Sequence, residues 1–138
     1  MLILCVPVTL AQVGAVNFFP SGNAVGAGLS NGKVLIFDQR TNMALNTLSA
    51  APESASITGL EFSKSGRALY TSHNNGSLGV WDPIGNRDRV HKLALCNEKY
   101  GETWPISGLT MAPDGTALAA GCFDGSVRVF TSPPPKKK

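Results

Sequence analysis

The sequence predicts an all-β protein built from three consecutive units of antiparallel strands. Glycine and proline are abundant, at 15 and 9 of 138 residues, and charged residues make up only 15%, a composition that favours turns and short strands over helices. A pattern also recurs three times without internal gaps, as VGAVNFFPSGNAVGAGLSNGKVLIFD, ITGLEFSKSGRALYTSHNNGSLGVWD and ISGLTMAPDGTALAAGCFDGSVRVFT. A repeat of this kind indicates stacked copies of one structural unit.

Each unit can be aligned on one glycine, which is Gly22, Gly66 or Gly115. Apolar residues alternate before and after this position, and a second glycine follows ten residues later. That second glycine is preceded by Asn or Asp, giving the pairs Asn31-Gly32, Asn75-Gly76 and Asp124-Gly125. An Asn-Gly or Asp-Gly pair between two β-rich runs is a hairpin signal, because these residues tolerate positive φ. Each unit therefore predicts a three-stranded antiparallel meander.

The segments that follow the first two units can supply a fourth strand. These segments read MALNTLS and RVHKLAL, and with them the unit reaches the length of about 40 to 45 residues expected of a propeller blade. The third unit ends after its third strand, at Phe130. We therefore predict a partial β-propeller of three consecutive four-stranded antiparallel blades, at about 13–50, 57–95 and 106–130, the last of which lacks its own fourth strand.

The two ends of the chain differ from the repeats. Residues 1–12 include the apolar run LILCVPVTL, which is too short to span a bilayer, and Pro7 favours an edge strand for it. Residues 131–138 form a Pro- and Lys-rich segment that predicts a disordered tail. Its three lysines account for the net charge of +3. The repeats are thus electrically balanced, and we expect no nucleic-acid binding and no direct insertion into a membrane.

One motif suggests catalysis. The stretch GLSNG, from Gly28 to Gly32, matches the G-x-S-x-G pattern of serine hydrolases, which place the serine between a strand and a helix. Ser30, however, occupies the same place in its unit as Asn74 and Phe123, and the β-rich run KVLIFD follows it. We interpret the stretch as a hairpin turn. The cysteines and carboxylates show no metal-ligand or acid-base spacing, so we expect no enzymatic activity, no bound metal and no cofactor.

Several segments resemble a known family. The pairs Trp81-Asp82 and Phe37-Asp38 are similar to the signature of WD repeats. The segments FFPSGNAVGAG, IFDQRTN and ITGLEFSKSGRALY further resemble the last three blades of a heterotrimeric G-protein beta subunit, over Val13 to Phe130. The resemblance implies a non-catalytic protein-binding scaffold in G-protein-coupled signal transduction. It also implies a cytoplasmic location, at the inner face of the plasma membrane through a partner.

The resemblance implies sites on two sides of the propeller. The positions that match segments meeting the G-gamma subunit are Phe19, Pro20, Asp38, Arg40 and Lys64. The positions that match loops facing G-alpha or effectors are Gln12, Ser30, Asn74 and Phe123. The second set lacks the Asp residues and the exposed Trp of the family, so the resemblance supports G-gamma binding more directly than G-alpha binding. A general WD-repeat scaffold of another complex, with no G-protein role, is the alternative.

The sequence also departs from the family. WD blades often contain a hydrogen-bonded set of His, Ser or Thr, Asp and Trp, and we place the hydroxyl position of that set at Leu29, His73 and Cys122. These blades are therefore expected to depend on apolar packing. Three blades also leave two open flanks, so ring closure is expected to need the remaining blades of a propeller or a second copy of the chain. The turn and signature positions expected to be structural are Asn31, Gly32, Asn75, Gly76, Trp81, Asp82, Asp124 and Gly125.

Overall fold

The structure is a computed structural model that describes residues 11–41, 43–49, 55–85, 87–94, 96–97 and 102–131. The predicted strand of residues 1–12 and the predicted tail of residues 131–138 lie almost wholly outside this range. The described residues form thirteen strands, which are β1 Val13–Phe18, β2 Ala24–Leu29, β3 Val34–Asp38, β4 Met43–Leu48, β5 Ile57–Phe62, β6 Leu69–His73, β7 Ser77–Asp82, β8 Arg87–Ala94, β9 Cys96–Asn97, β10 Glu102–Thr103, β11 Ile106–Met111, β12 Ala117–Cys122 and β13 Val127–Thr131.

The strands form three blades in chain order, as predicted. Strands β1 to β4 and β5 to β8 make two four-stranded antiparallel sheets, and β11 to β13 make a three-stranded sheet within the described residues. Within each sheet, every strand pairs with the strand that comes next to it in the sequence. The first strand of each blade carries a register shift at the same place, at Gly14, Thr58 and Ser107. The gap-free alignment of the sequence therefore corresponds to equivalent positions in space.

The glycine columns of the sequence lie in the hairpin turns. All six glycines of the two columns have φ between +74° and +85°, a region that L side chains rarely adopt. In each first turn the glycine N–H donates to the carbonyl three residues earlier, for example Gly22 to Phe19 at 2.8 Å. In each second turn the same bond spans 3.1 Å, for example from Gly32 to Leu29. The turn chemistry read from the sequence thus sets the register of every blade.

The first two blades pack through small residues on one side and large ones on the other. Gly28 on β2 faces Ile57 on β5, so close that an added Cβ would overlap the Ile57 side chain. Gly26 in turn faces Leu60 and Phe62, whose side chains would lie 3.0 to 3.2 Å from an added Cβ. The amide of Asn17 also donates to the Leu60 carbonyl at 3.0 Å. These contacts form the hydrophobic core between the first and second blades.

The second and third blades meet with their backbones in close approach. An added Cβ on Gly59 would lie 2.7 Å from the backbone nitrogen of Leu109. The Thr58 hydroxyl donates to the carbonyl of Ile106 and bonds the Ser72 hydroxyl at 2.9 Å. A partly buried chain of hydrogen-bonded hydroxyl groups therefore links the two blades.

One expectation about the blade interiors is wrong for the second blade. The indole N–H of Trp81 donates to the Thr71 hydroxyl at 2.8 Å, and the same hydroxyl bonds Nε2 of His73 at 3.0 Å. His73 Nδ1 bonds the carbonyl of Ala55 at 3.1 Å. All three side chains are buried. The hydroxyl thus comes from Thr71, two residues before the position assigned from the sequence, and this blade contains a hydrogen-bonded network.

The network is confined to the blade that has tryptophan. The positions of Thr71 and Trp81 are occupied by Ala27 and Phe37 in the first blade, and by Ala120 and Phe130 in the third. A buried indole N–H needs an acceptor, whereas a phenyl ring does not. The alanine that accompanies each phenylalanine therefore leaves no polar atom unsatisfied.

One element of the structure was not predicted from the sequence. Strands β9 and β10 form a short two-stranded antiparallel sheet between the second and third blades, with Cys96 opposite Thr103. Two residues per strand give no visible period in the sequence, and polar residues surround them. The chain continues through Trp104, whose carbonyl lies against Gly76 in the second turn of the second blade.

Candidate protein-binding edges

The blades present two opposite edges, because antiparallel hairpins alternate their turns between the two ends of the strands. The first edge consists of the turns after the first and third strands of each blade, including residues 19–23, 63–68, 83–85 and 112–116. The second edge consists of the turns after the second strand, at residues 30–33, 74–76 and 123–126, together with the segments that enter each blade. The two sets of sequence-predicted binding residues fall on different edges.

The first edge contains all five residues matched to G-gamma contacts. Pro20 and Lys64 occupy the same position in the first turns of successive blades, and both are exposed. Lys64 lies over Gly115 of the third blade, with its Cβ 3.3 Å from the place of an added glycine Cβ. Phe19 lies over Gly66 of the second blade in the same way. The first turns therefore form one continuous row across the three blades.

Phe19 is a packing residue as well as an edge residue. Its ring meets the ring of Phe62 edge-on, with centroids 5.3 Å apart and an interplanar angle of 73°. It is only partly buried, and it packs against the core between the first two blades. The exposed part of the ring is the part available to a partner.

Asp38 and Arg40 form a fixed charged pair beside Phe19. The guanidinium donates from Nε to Asp38 Oδ1 at 3.1 Å and from Nη2 to Oδ2 at 3.0 Å. The side-chain hydrogen bond from Arg40 lowers the pKa of Asp38 and raises the pKa of Arg40 itself. The Arg40 side chain remains 67% exposed although Asp38 is nearly buried. The pair thus presents an oriented guanidinium to solvent.

A cleft of about 360 Å³ opens at the first edge between the first and second blades. The residues that line it include Phe19 and Ile36 and the charged pair of Asp38 and Arg40. Its rim includes two exposed apolar side chains, Leu45 and Ile84. These two residues were not predicted from the sequence. The signal for Ile84 was an apolar residue inside a tight turn, where polar residues are usual.

The second edge brings together the four residues matched to G-alpha contacts. Ser30, Asn74 and Phe123 are the first residues of equivalent turns. Their N–H groups donate to the segments that enter each blade, at Gln12, Ser56 and Pro105, over 2.8 to 3.0 Å. Phe123 is exposed and apolar, whereas the other three are polar. The edge also carries charged groups: Lys33 is exposed, and Arg128 Nη2 lies 3.5 Å from Asp124 Oδ2.

The Asn and Asp residues of the second turns use their side chains within the turn. The Oδ1 atoms of Asn31, Asn75 and Asp124 accept the N–H of the residue two positions later, at 3.1, 3.1 and 2.9 Å. Gly32, Gly76 and Gly125 follow them with positive φ. The Trp81 indole donates to the Thr71 hydroxyl, and the Asp82 carboxylate accepts the N–H groups of Ile84 and Gly85. Each of the eight turn and signature residues thus takes part in a turn or in a hydrogen bond within its own blade.

The serine of GLSNG lies in the turn between β2 and β3. Its hydroxyl accepts the N–H of Gln12 at 3.1 Å, and a strand follows rather than a helix. The strand-turn-helix arrangement of a nucleophile elbow is therefore not found at Ser30. Within the described ranges, no group of three or more His, Cys, Asp or Glu side chains is placed to hold a metal ion. The described residues also contain no helix of the length and apolarity that would cross a bilayer.

Acid is expected to weaken the third blade through Asp124. Hydrogen bonds from Ser126, with a contribution from Arg128, lower the pKa of Asp124 in the folded state. A carboxyl with a lowered folded pKa contributes stability above its unfolded pKa of about 3.9, and that stability is lost as the pH falls through the folded value. Asp124→Asn reproduces the residue of the first two blades at this position. We expect it to flatten the fall in unfolding free energy as the pH drops below about 4, measured by denaturant titration.

An unchanged acid slope in Asp124→Asn would show that this carboxyl does not govern the acid response. Asp114 allows a second test of the same effect in the double variant, because hydrogen bonds from Thr116 lower its pKa in the same way in the first turn of that blade. Asp114→Asn is expected to flatten the slope further.

Comparison with known proteins agrees with this architecture. The family model described as "WD domain, G-beta repeat" matches residues 43–82 and 95–131. The first match begins at β4 and ends at β7, so one sequence repeat combines the outer strand of one blade with three strands of the next.

Guanine nucleotide-binding protein beta subunits are among the similar proteins. The subunit beta of Zea mays is 34% identical over 124 residues, which cover 86% of this chain and 32% of that protein. The corresponding values are 32% over 123 residues for Solanum tuberosum, with 87% and 32% coverage, and 29% over 118 residues for subunit beta-2 of Caenorhabditis elegans, with 86% and 30% coverage. The chain thus spans about a third of the length of these relatives. Its blades, its turns and its matched repeats make it a member of the WD-repeat family, with G-protein beta subunits as its relatives.

Proposed function

We propose that this chain is a non-catalytic protein-binding scaffold in G-protein signalling and that its first edge binds a G-gamma subunit. The observation that carries the proposal is the cleft beside Arg40, where exposed Leu45 and Ile84 flank an oriented guanidinium. An apolar rim next to a fixed positive charge suits an amphipathic helix that inserts an apolar side chain and pairs an acidic one with Arg40. The sequence similarity to G-protein beta subunits supports the choice of G-gamma as the partner.

The geometry supports binding rather than catalysis at this edge. Asp38 is engaged by Arg40 through both carboxylate oxygens, and its backbone neighbour Arg40 also donates an N–H to it at 2.8 Å. Arg40 thus donates three hydrogen bonds to this carboxylate, which favours a role in holding the guanidinium over a role as a general base. Apart from Asp38 and Arg40, the residues that line the cleft have apolar, amide or hydroxyl side chains, which provide area and shape complementarity.

The proposal is tested by measuring the affinity of the full chain for a purified G-gamma chain, with a matched pair of variants. Ile84→Asp places a charge at the rim of the cleft, and we expect it to weaken binding by about tenfold or more, the effect of losing one interface anchor. Phe123→Asp makes the same kind of change on the opposite edge and is expected to leave the affinity unchanged. Both residues are exposed, so neither change should disturb the fold.

A second function is favoured by Phe123. This exposed aromatic residue stands at the second edge, where Asn74 and Ser30 offer polar groups, and aromatic anchors are enriched in binding hot spots. We propose as the alternative a general WD-repeat scaffold that binds its partner at the second edge. A folded chain that does not retain G-gamma, but captures a partner that Phe123→Asp releases and Ile84→Asp does not, would favour the alternative.

A further inference from the structure

The lateral faces of the outer blades carry uncovered apolar residues. On β1, Val16 is 66% and Phe18 is 60% exposed, and Val13 beside them is half exposed. On β13, Val127 is 72% and Val129 is 61% exposed. These residues lie on the flat sides of the first and third blades rather than on the two turn edges. Such rows of exposed aliphatic and aromatic side chains mark surfaces that bind other proteins.

The contact between the first and second blades shows what such a face binds. The first blade contributes Gly26 and Gly28 with the buried Val34 and Ile36. The second blade places three large side chains against them, Ile57, Leu60 and Phe62, each less than 10% exposed. A face of small residues flanked by two aliphatic ones thus receives a row of large apolar residues.

The same two sets of positions recur on the uncovered faces. At the positions of Gly26, Gly28, Val34 and Ile36, the third blade has Ala119, Gly121, Val127 and Val129. At the positions of Ile57, Leu60 and Phe62, the first blade has Val13, Val16 and Phe18. None of these seven residues is charged. The uncovered side of the third blade is therefore the counterpart of the uncovered side of the first blade.

A pair of equivalent glycines supports the same assignment. Gly59 lies against the backbone of the next blade, 2.7 Å from Leu109 N measured from an added Cβ. Gly108 occupies the same position in the third blade, and no atom lies within 4 Å of an added Cβ there. Gly108 would thus permit another blade to pack as closely as the third blade packs on Gly59. Within a single copy, no blade packs against Gly108.

We propose that two copies of this chain associate head to tail, the third blade of each copy packing against the first blade of the other. The contact is heterologous, because two different faces meet, and a dimer satisfies both faces of both copies when the ring closes. The occupant is a second copy because the chain itself presents the matching row of large apolar residues. This contact uses neither turn edge, so both edges stay available for partners.

Cysteine cross-linking tests the pairing of unlike faces. In the contact between the first and second blades, an added Cβ on Gly28 lies 3.0 Å from Ile57 Cβ. The equivalent pair between copies is Gly121 and Val13, within reach of a disulfide after small adjustment. Gly121→Cys is tolerable within one copy, since the nearest atom to its Cβ is the rotatable Ser107 Oγ at 3.1 Å. Both variants are made in a chain whose three native cysteines, Cys5, Cys96 and Cys122, are replaced by serine.

We expect a mixture of Val13→Cys and Gly121→Cys chains to give a disulfide-linked dimer on mild oxidation, at about tenfold or more above either variant alone. Efficient cross-linking of Val13→Cys by itself would overturn the proposal, because it would mean that like faces meet. A mixture that does not cross-link would also overturn it, provided that circular dichroism shows both variants folded.

Light scattering of the unmodified chain gives a second, independent reading. The proposal expects a mass of twice the 14.5 kDa chain mass at a concentration of about 50 µM. Gly108→Ala and Val129→Lys are each expected to return the mass to that of one chain, since the first blocks close approach and the second places a charge in the contact. A single-chain mass for the unmodified protein, or an unlimited rise in mass with concentration, would overturn the closed dimer.

Discussion

Gly59→Ala is expected to lower the free energy of unfolding by about 1–3 kcal/mol, the range observed when side chains are forced into well-packed interiors. The added Cβ would lie 2.6 Å from Ser72 Oγ, 2.7 Å from Leu109 N and 3.1 Å from Gly108 Cα. Two of these atoms belong to the backbone of the third blade, so the clash cannot be relieved by a side-chain rotation. The blades must separate, which also strains the hydrogen bond from Thr58 to the Ile106 carbonyl. Denaturant unfolding followed by circular dichroism measures the loss.

The matched control is Gly108→Ala, measured at a chain concentration low enough to minimise association between copies. Both glycines lie in the first strand of a blade, and an added Cβ at Gly108 meets no atom within 4 Å. This variant is expected to be neutral or to stabilise by about 0.4–1 kcal/mol, because alanine restricts the unfolded chain. Equal destabilisation by both variants would mean that the backbone conformation, rather than the contact between blades, requires glycine in this strand.

Thr71→Ala is expected to destabilise the chain by about 1–3 kcal/mol, the cost of leaving a buried polar group without its partner. The substitution removes the acceptor of the Trp81 indole and a partner of His73 Nε2 at the same time. Trp81 is 1% exposed, so water cannot replace the missing hydroxyl without opening the blade. Thermal and denaturant unfolding measure the effect.

The triple variant Thr71→Ala, His73→Leu, Trp81→Phe separates the network from the packing. It gives the second blade the residues that the first blade has at these positions, Ala27, Leu29 and Phe37. We expect it to cost less than the sum of the three single substitutions, because every member of the network is removed together. Additive losses would show that the three residues stabilise the blade independently and that the hydrogen bonds between them contribute little.

The turns of this protein were predictable from the sequence, and its blade interiors were less so. The glycine columns have a local cause, since a positive φ is needed wherever a tight hairpin turn recurs. Thr71 has no local signal of that kind. Its role depends on an indole ten residues away that reaches it across paired strands, a distance that only the register between β6 and β7 defines. The sequence-based assignment put the hydroxyl position two residues too late, at His73. It therefore did not pair Thr71 with Trp81, and the hydrogen-bonded network was not predicted.

The candidate edges show the same division. The resemblance implied that Phe19, Pro20 and Lys64 lie on one side and that Ser30 and Phe123 lie on the other, and the alternating turns of the structure give the same division. The cleft was not predictable, because its rim joins Leu45 of β4 to Ile84 of a turn in the next blade. Leu45 has no partner in the pairing of β3 with β4, because the register shifts there: Ile36 pairs with Asn46 and Phe37 pairs with Ala44, which breaks the simple alternation. Register shifts and contacts between blades are tertiary features, and a single sequence does not display them.

The sequential pairing of strands within each blade also bears on how the chain is made. Each blade consists only of strands that are consecutive in the sequence, joined by short turns, so closing each hairpin costs little loop entropy. Proteins rich in such local contacts fold quickly for their class, and a chain leaves the ribosome at about 5–20 residues per second. We therefore expect the first blade to be complete before the second has been synthesised. The slow step of biogenesis is then the docking of finished blades on one another, and a substitution at Gly59 would delay that step while leaving the hairpins to form at their usual rate.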